Sequence, residues 1–314
     1  MKLINMEPVQ DKRHHCYEAV QVTIAKWWNL EYYLLYSKSW GFEHVKFNHI
    51  HPELLGNRIY NGSQNVLDVE LQIGMKIEQV NTNNFSQLKE LITSEVKKGA
   101  PSIINMDAFF CPFHPVYQKQ HLSHDFIILG IEDNVLTCLD PKFHLHHKKI
   151  NLNFLEGKDV TVSTVKKSNV SQCNYTQLIK ASLNQQIEKK ISTFESIKNF
   201  AYEVRDGINI KDELDGFPLN TAPLIFQLSN TQYNREKFSI FLTYTNSKVN
   251  NPYIEAAINI TNQVANDWKT VEHLILKSAF QKNPQNLFNR ISDYLFSIYE
   301  NENRLFSTLS KYVR

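Results

Sequence analysis

The stretch HDFIILGIEDNVLTCLDP, residues 124–141, contains the clearest fold signal of the chain. Two apolar runs, 124–131 and 135–139, are separated by a short acidic turn, which is typical of a β-hairpin. Antiparallel pairing of the two strands would bring His124, at the start of the first, and Asp140, just after the second, to the same end of a sheet. The stretch therefore predicts both a local fold and a pairing of two polar residues.

The segments around this hairpin predict an α+β protein. Helical patterns are expected at residues 16–28 and 85–98, and further strands at 102–109 and 160–165. After about residue 160 the apolar spacing becomes helical, at 175–202, 252–281 and 284–312. We therefore predict an N-terminal domain with an antiparallel sheet at residues 1–168 and a mostly helical domain at residues 169–314.

Composition narrows the functional class. Hydrophobic residues make up 42% of the 314 residues and charged residues 21%, which is ordinary for a folded globular protein. The formal net charge of +2 does not indicate a nucleic-acid surface, and no apolar run is long enough for a membrane span. Four irregularly spaced cysteines are too few for a disulfide framework, so we expect free thiols in the cytoplasm.

Cys16 is the candidate nucleophile, because it would lie in the first turn of the predicted helix. The positive end of the helix dipole and the unpaired N–H groups there favour a thiolate and stabilise an oxyanion. A thiol also needs an imidazole to take its proton, and the imidazole needs a carboxylate to fix its tautomer. We predict that His124 and Asp140 are these two groups and that all three residues meet.

Other residues compete for these roles. His121, in the loop before the predicted strand, is a second candidate for the base. Asp125 would point to the sheet face opposite His124, and Asp133 belongs to the distant turn, so both rank behind Asp140 as the orienting carboxylate. The neighbouring His14 and His15 either precede the helix as polar residues or tune the thiol, and the sequence leaves this open.

The 12 histidines leave a metal site open as an alternative. His44, His49 and His51 have ligand-like spacing, and so do the histidines of HLHH at 144–147. Zinc sites usually add a CxxC or HExxH pattern, which this chain lacks. The chain also lacks a glycine-rich phosphate loop, so we predict neither a metal nor a nucleotide cofactor.

Three segments together resemble the N-terminal domain of the butirosin-biosynthesis acyltransferase family. They are HCYEA at 15–19, NMDAFFCPF at 105–113, and HLSH at 121–124 leading through the strand to LDP at 139–141. A strand that begins with His and leads through a hairpin to Asp-Pro also resembles bacteriocin-processing cysteine peptidases. The amide synthase of closthioamide assembly is a related enzyme. The resemblance implies that residues 1–168 form a papain-like catalytic domain.

The resemblance also implies an ATP-independent acyl transfer in the biosynthesis of a secondary metabolite such as an antibiotic. An acyl or peptidyl group would pass from the phosphopantetheine thioester of a carrier protein to Cys16, and then to a small amine to form an amide. Gln10 would donate to the oxyanion, as a glutamine at about this offset does in papain-like enzymes. Tyr33 and Trp40 are candidates for a substrate site that excludes water.

Two alternatives remain open at the level of the sequence. A papain-like peptidase or thioesterase would use the same three residues but deliver water to the acyl group. A binding protein with a buried, unreactive Cys16 would have no catalytic activity. Reactivity of Cys16 and the identity of the acyl acceptor separate the three.

Overall fold

The structure is a computed structural model that describes residues 3–46, 53–61, 69–80, 84–169, 173–188, 191–219 and 221–314. It divides into two compact units, each formed by two stretches of the chain. The first unit comprises Met1–Tyr32 and Val69–Cys173, and the second comprises Tyr33–Asp68 and Asn174–Arg314. The predicted α+β fold class, with an antiparallel sheet followed by a helix-rich region, is confirmed.

The helices and strands have the following bounds in the described part of the chain. The helices are α1 (Cys16–Trp27), α2 (Val69–Gln72), α3 (Phe85–Lys97), α4 (Tyr175–Ile187), α5 (Thr193–Asp206), α6 (Ile210–Leu214), α7 (Pro223–Val249), α8 (Pro252–Ser278) and α9 (Gln285–Val313). The strands are β1 (Phe42–His44), β2 (Ile59–Asn61), β3 (Met75–Val80), β4 (Ser102–Asp107), β5 (Ser123–Glu132), β6 (Val135–Asp140), β7 (Leu145–Asn151) and β8 (Val160–Lys167).

The first unit is built on an antiparallel sheet with the strand order β3-β8-β4-β5-β6-β7. The predicted hairpin forms β5 and β6, with Ile127 opposite Leu139. Strand β4 pairs with the other edge of β5, which sets Asn105 opposite Asp125. The central strand β5 therefore has a partner on each side, and its first residues lie at one end of the sheet.

Two helices pack on the sheet and separate the side chains of β5 into two groups. Helix α3 contacts β4, β5 and β8, and helix α1 contacts β5. Phe126 and Ile128 share a buried cluster with Leu88 and Ile92 of α3. Because side chains alternate along a strand, Asp125 and Ile127 point away from that cluster. The face of β5 that bears Asp125 is the one that α1 approaches.

Helix α1 begins at Cys16 because His15 caps it. The Nδ1 atom of His15 accepts a hydrogen bond from the backbone N–H of Glu18, at 3.3 Å. This bond satisfies one of the donors that the first turn of a helix leaves unpaired. From Ala19 to Ala25 the helix is buried, so its burial against the sheet holds the position of Cys16.

The second unit contains α4 to α9 and the two-stranded sheet of β1 and β2. The long helical pattern predicted at 175–202 is two helices, and Ser192 Oγ caps the second by accepting from the N–H of Glu195. Helix α7 was not predicted, because its apolar residues do not follow a helical period. Strand β7 was not predicted either, since its sequence, LHHKKIN, is largely polar.

The stretch Tyr33–Asp68 groups with the helical unit, although it precedes the sheet in the chain. A buried polar network accounts for part of this grouping. Trp40 Nε1 donates to Glu302 Oε2 at 2.5 Å, and Arg235 Nε donates to Glu302 Oε1 at 2.8 Å. A second donor of Arg235 reaches the carbonyl of Gly41 at 2.9 Å. The chain enters the helical unit a second time after Cys173, whereas the sequence predicted a single division after residue 168.

In the part of the chain that the structure describes, no helix is a candidate for a membrane span. None of these helices has both the length and the apolar character that crossing a bilayer requires.

Candidate active site

Cys16 is the first residue of α1, and its thiol is partly exposed. Its Sγ donates a hydrogen bond to Oδ2 of Asp125, at 3.4 Å, and lies 3.9 Å from the carbonyl oxygen of Ser123. Both partners belong to the start of β5. The packing of α1 on the sheet thus holds the thiol against a carboxylate.

Asp125 is 6% exposed and has a partner for each carboxylate oxygen. Oδ2 accepts from Cys16, and Oδ1 accepts from Nδ2 of Asn105 at 2.9 Å. The same Nδ2 donates to Oγ of Ser123 at 2.8 Å. The pairing of Asn105 with Asp125 in the β4–β5 ladder makes this contact possible, because opposed side chains lie on the same sheet face.

Burial raises the pKa of the Cys16 thiol to about 11, and the negative charge of Asp125 acts in the same direction. Hydrogen bonds from the backbone of Asp125 and Tyr17 oppose the rise but do not cancel it. The sequence predicted that the helix dipole would favour a thiolate. In the structure, burial and the neighbouring carboxylate outweigh that effect, so the thiol is protonated at neutral pH.

His124 and Asp140 form a separate, buried pair. His124 Nε2 lies 2.8 Å from Asp140 Oδ2, and the residues are 2% and 0% exposed. The other oxygen of Asp140 accepts from the backbone N–H of Phe143 at 3.2 Å. The ring of His114 packs against His124 with centroids 4.4 Å apart.

The structure brings together two of the three predicted catalytic residues, His124 and Asp140, but Cys16 contacts Asp125 instead. The reason is the alternation of side chains along β5, which turns His124 and Asp125 to opposite faces. We therefore replace the predicted Cys16–His124 contact with a Cys16–Asp125 contact. As the sequence predicts, the side chains of Asp125 and His124 point to opposite faces of β5. Helix α1, which bears Cys16, lies on the Asp125 face.

The other candidate histidines have distinct positions. His121 is exposed, with Nδ1 2.5 Å from Oδ2 of Asp107 and its ring stacked on Phe109 at 4.3 Å. This contact holds the pKa of Asp107 below its usual value. His15 caps α1, whereas His14 is buried and its carbonyl accepts from Lys142.

The remaining predicted site residues are Gln10, Trp40 and Tyr33. Gln10, the predicted oxyanion donor, is exposed. Trp40 has no exposed surface and packs in the core of the second unit against Phe238, with ring centroids 5.0 Å apart, so it offers no surface to a substrate in this conformation. Tyr33 is partly exposed and packs against Tyr244, with centroids 5.3 Å apart.

Among the residues that the structure describes, no three His, Cys, Asp or Glu side chains lie close enough together to hold a metal ion. His44, from one of the predicted clusters, is buried and lies 3.0 Å from Glu203. His49 and His51 lie outside the described residues. Of the other cluster, His144, His146 and His147 are exposed.

Asn105 is the residue of this site that the sequence reasoning missed. It is a polar residue between the apolar residues Ile104 and Met106 of β4. A polar residue within a buried strand needs a partner, and this was the available signal. Its partner, Asp125, could be assigned only from the strand register.

One comparison with known proteins found a match, and it covers the part of the chain that contains these residues. No curated protein matches the chain. Residues 15–141 match the family described as "Butirosin biosynthesis protein H, N-terminal". That range begins at the cap of α1, contains Cys16, Asn105 and Asp125, and ends just after β6. The resemblance predicted from the sequence is therefore confirmed for residues 15–141, which make up 127 of the 314 residues.

Proposed function

We propose that this protein is an acyltransferase that carries an acyl or peptidyl group on Cys16 and passes it from a thioester to an amine, forming an amide without ATP. The family match indicates a biosynthetic acyltransferase of the papain-like type. The observation that carries the proposal is the thiol of Cys16, which is partly exposed, begins a helix and is hydrogen-bonded to a carboxylate within the matched region.

The energetics of the reaction are consistent with this site. Exchange of one thioester for another is nearly isoenergetic, and conversion of a thioester to an amide is downhill, so no nucleotide is needed. The backbone N–H of Cys16, at the start of α1, would donate a hydrogen bond to the oxyanion of the tetrahedral intermediate. The donor is proposed to be the phosphopantetheine thioester of a carrier protein, and the acceptor a small amine in secondary-metabolite biosynthesis.

Intact-protein mass spectrometry tests the proposal. The wild-type protein and Cys16→Ala are mixed with a series of acyl-pantetheine thioesters, and the mass of the protein is followed before and after a diamine is added. We expect an acyl adduct on the wild type, absent from Cys16→Ala, that the amine discharges as an amide. Cys173→Ser, which removes the other partly exposed thiol, is the matched control and should be acylated like the wild type.

The outcomes separate the alternatives. Discharge of the adduct to free acid at the same rate with and without amine would identify a thioesterase or peptidase. Absence of any adduct on the wild type with every donor would overturn the proposal.

A further inference from the structure

We propose that Lys142 is a positioning residue for acyl transfer. Its ammonium group fastens the loop that ends at Cys16 to the turn after Asp140, and so holds the thiol in place for the reaction. This inference rests on the proposed function and names a residue on which the geometry of that site depends. Lys142 acts through the backbone of the loop and not through the reacting atoms.

The first observation is a pair of contacts between distant parts of the chain. Lys142 Nζ donates to the carbonyl oxygen of His14 at 2.5 Å and to that of Lys12 at 3.5 Å. His14 is 1% exposed and lies two residues before Cys16. A hydrogen bond from a charged donor is stronger than one between neutral groups. The loop is therefore fixed to the turn between β6 and β7 just before α1 begins.

These contacts also set the direction of the backbone at the end of the loop. A trans peptide group is planar, and its C=O and N–H point in opposite directions. Because Lys142 holds the carbonyl of His14, the N–H of His15 is turned to the opposite side. Rotation of this peptide group would displace Cys16 and the ring of His15, which caps α1. Lys142 thus fixes the residues from which the helix of the nucleophile begins.

The second observation is that Lys142 lies in a turn that is itself held. Oδ1 of Asp140 accepts from the backbone N–H of Phe143 at 3.2 Å, which closes the turn around Lys142. The ring of Phe143 packs against the rings of His114 and His124, with centroids 4.8 and 5.7 Å apart. A residue that positions another must be supported by its own neighbours, and this turn meets that requirement.

The turn connects two parts of the site. Asp140 Oδ2 lies 2.8 Å from Nε2 of His124, and Lys142, two residues later, holds the loop that ends at Cys16. A thiol and an imidazole–carboxylate pair are the groups that acyl transfer of the papain-like type requires. Their common anchor sets the position of the nucleophile relative to the pair. This matters because a displacement of about 1 Å at a reacting group can slow a reaction about 100-fold.

Lys142→Met tests the proposal, because methionine keeps an unbranched apolar side chain but removes the ammonium group. Acylation of Cys16 over a range of acyl-pantetheine concentrations is followed by intact-protein mass spectrometry. The maximal rate should fall about 100-fold, since the thiol is no longer held in one position. The half-saturating concentration of acyl-pantetheine should change by less than about twofold, since Lys142 does not bind the donor.

Lys142→Arg is the rescue variant, and Lys149→Met is the matched control. A guanidinium group also donates to carbonyl oxygens, so acylation of Lys142→Arg should return to within about tenfold of the wild-type rate. Lys149 lies in the same β6–β7 hairpin, where its Nζ donates to Oγ1 of Thr137 at 2.6 Å. Lys149→Met should therefore be acylated at the wild-type rate.

The outcomes separate this proposal from the proposed function. Equal maximal rates for Lys142→Met and Lys149→Met would overturn the role of Lys142 and leave acyl transfer through Cys16 intact. A fall that Lys142→Arg does not reverse, or a rise in the half-saturating concentration alone, would overturn it as well. Absence of acylation in the wild type would overturn both proposals. Circular dichroism checks folding, and Lys142→Gln, with the same expectation, replaces Lys142→Met if that variant does not fold.

Discussion

Two pairs of residues at the start of β5 have opposite environments although they are neighbours in sequence. On the α3 side, His124 and Asp140 are 2% and 0% exposed and bond to each other. On the α1 side, Asp125 bonds to the thiol of Cys16, which is partly exposed. A one-residue step along a strand thus separates a fully buried pair from a pair in which the carboxylate is buried and the thiol is partly exposed.

The comparison also corrects an inference from motif spacing. A histidine at a strand start and an aspartate after the hairpin do pair, as the sequence predicts. This hydrogen bond is not by itself evidence for catalysis. A buried structural pair and a catalytic triad would both show the same contact between His124 and Asp140. The thiol of Cys16 contacts Asp125, whose side chain lies on the other face of β5.

The largest effect that we expect is a loss of stability on substitution of Asp140, on the α3 face of the sheet. Asp140→Asn replaces an acceptor with a donor that faces His124 or the N–H of Phe143. We expect a loss of about 3 kcal/mol in the free energy of unfolding, because buried groups lose their partners. Urea unfolding followed by circular dichroism measures it. A loss below about 1 kcal/mol would show that the pair is not a structural element.

The second effect is a dependence of stability on pH that His114, which packs against His124, contributes. Burial, and then the neighbouring His124, lower the pKa of His114 from 6.5 to about 4. Between these values the unfolded chain binds a proton at His114 that the folded protein does not. Stability is therefore unaffected by His114 above pH 6.5 and falls as the pH decreases toward 4, by roughly 2 kcal/mol.

Thermal or urea unfolding across pH 4–7 checks this for the wild type and His114→Phe. The variant should lose less stability over that window, whereas His146→Phe, which removes an exposed histidine, should follow the wild type. Parallel curves for the wild type and His114→Phe would contradict the effect.

The third effect concerns the thiols of the two faces. Cys16 is partly exposed with a pKa of about 11, so its alkylation rate should rise about tenfold per pH unit between pH 7 and 10. Cys111 and Cys138 belong to the buried cluster under α3 and should react only after unfolding. Peptide mapping after timed alkylation measures each rate. Alkylation of Cys138 in the native protein at a rate similar to that of Cys16 would contradict this assignment of faces.

The smallest effect that we expect is the loss of stability when Asp125, on the α1 face, is substituted in the same way as Asp140. Asp125→Asn has the same shape as the wild-type residue and lies beside a partly exposed thiol. We expect less than about 1 kcal/mol of lost stability by the same urea unfolding, since only net hydrogen-bond differences change. A loss as large as that of Asp140→Asn would mean that both carboxylates are structural, and the comparison between faces would fail.

Much of the first unit could be predicted because its signals are local. The hairpin of β5 and β6, the helix that begins at Cys16 and the helix capped by Asn84 each follow from residues close in sequence. The features that were missed depend on distant contacts. Helix α7 has no helical period of its own, and Asn105 finds its partner only through the strand register.

By itself, the sequence determined the fold class, the family of residues 15–141, the nucleophile candidate at a helix start, and the pairing of His124 with Asp140. These follow from patterns of a few residues and from antiparallel geometry. Only the tertiary structure decided which face of β5 the helix α1 covers, and so which carboxylate meets the thiol. Sequence alternation defines two faces but cannot say which of them a separate helix packs against, because that choice depends on the burial of the whole apolar surface.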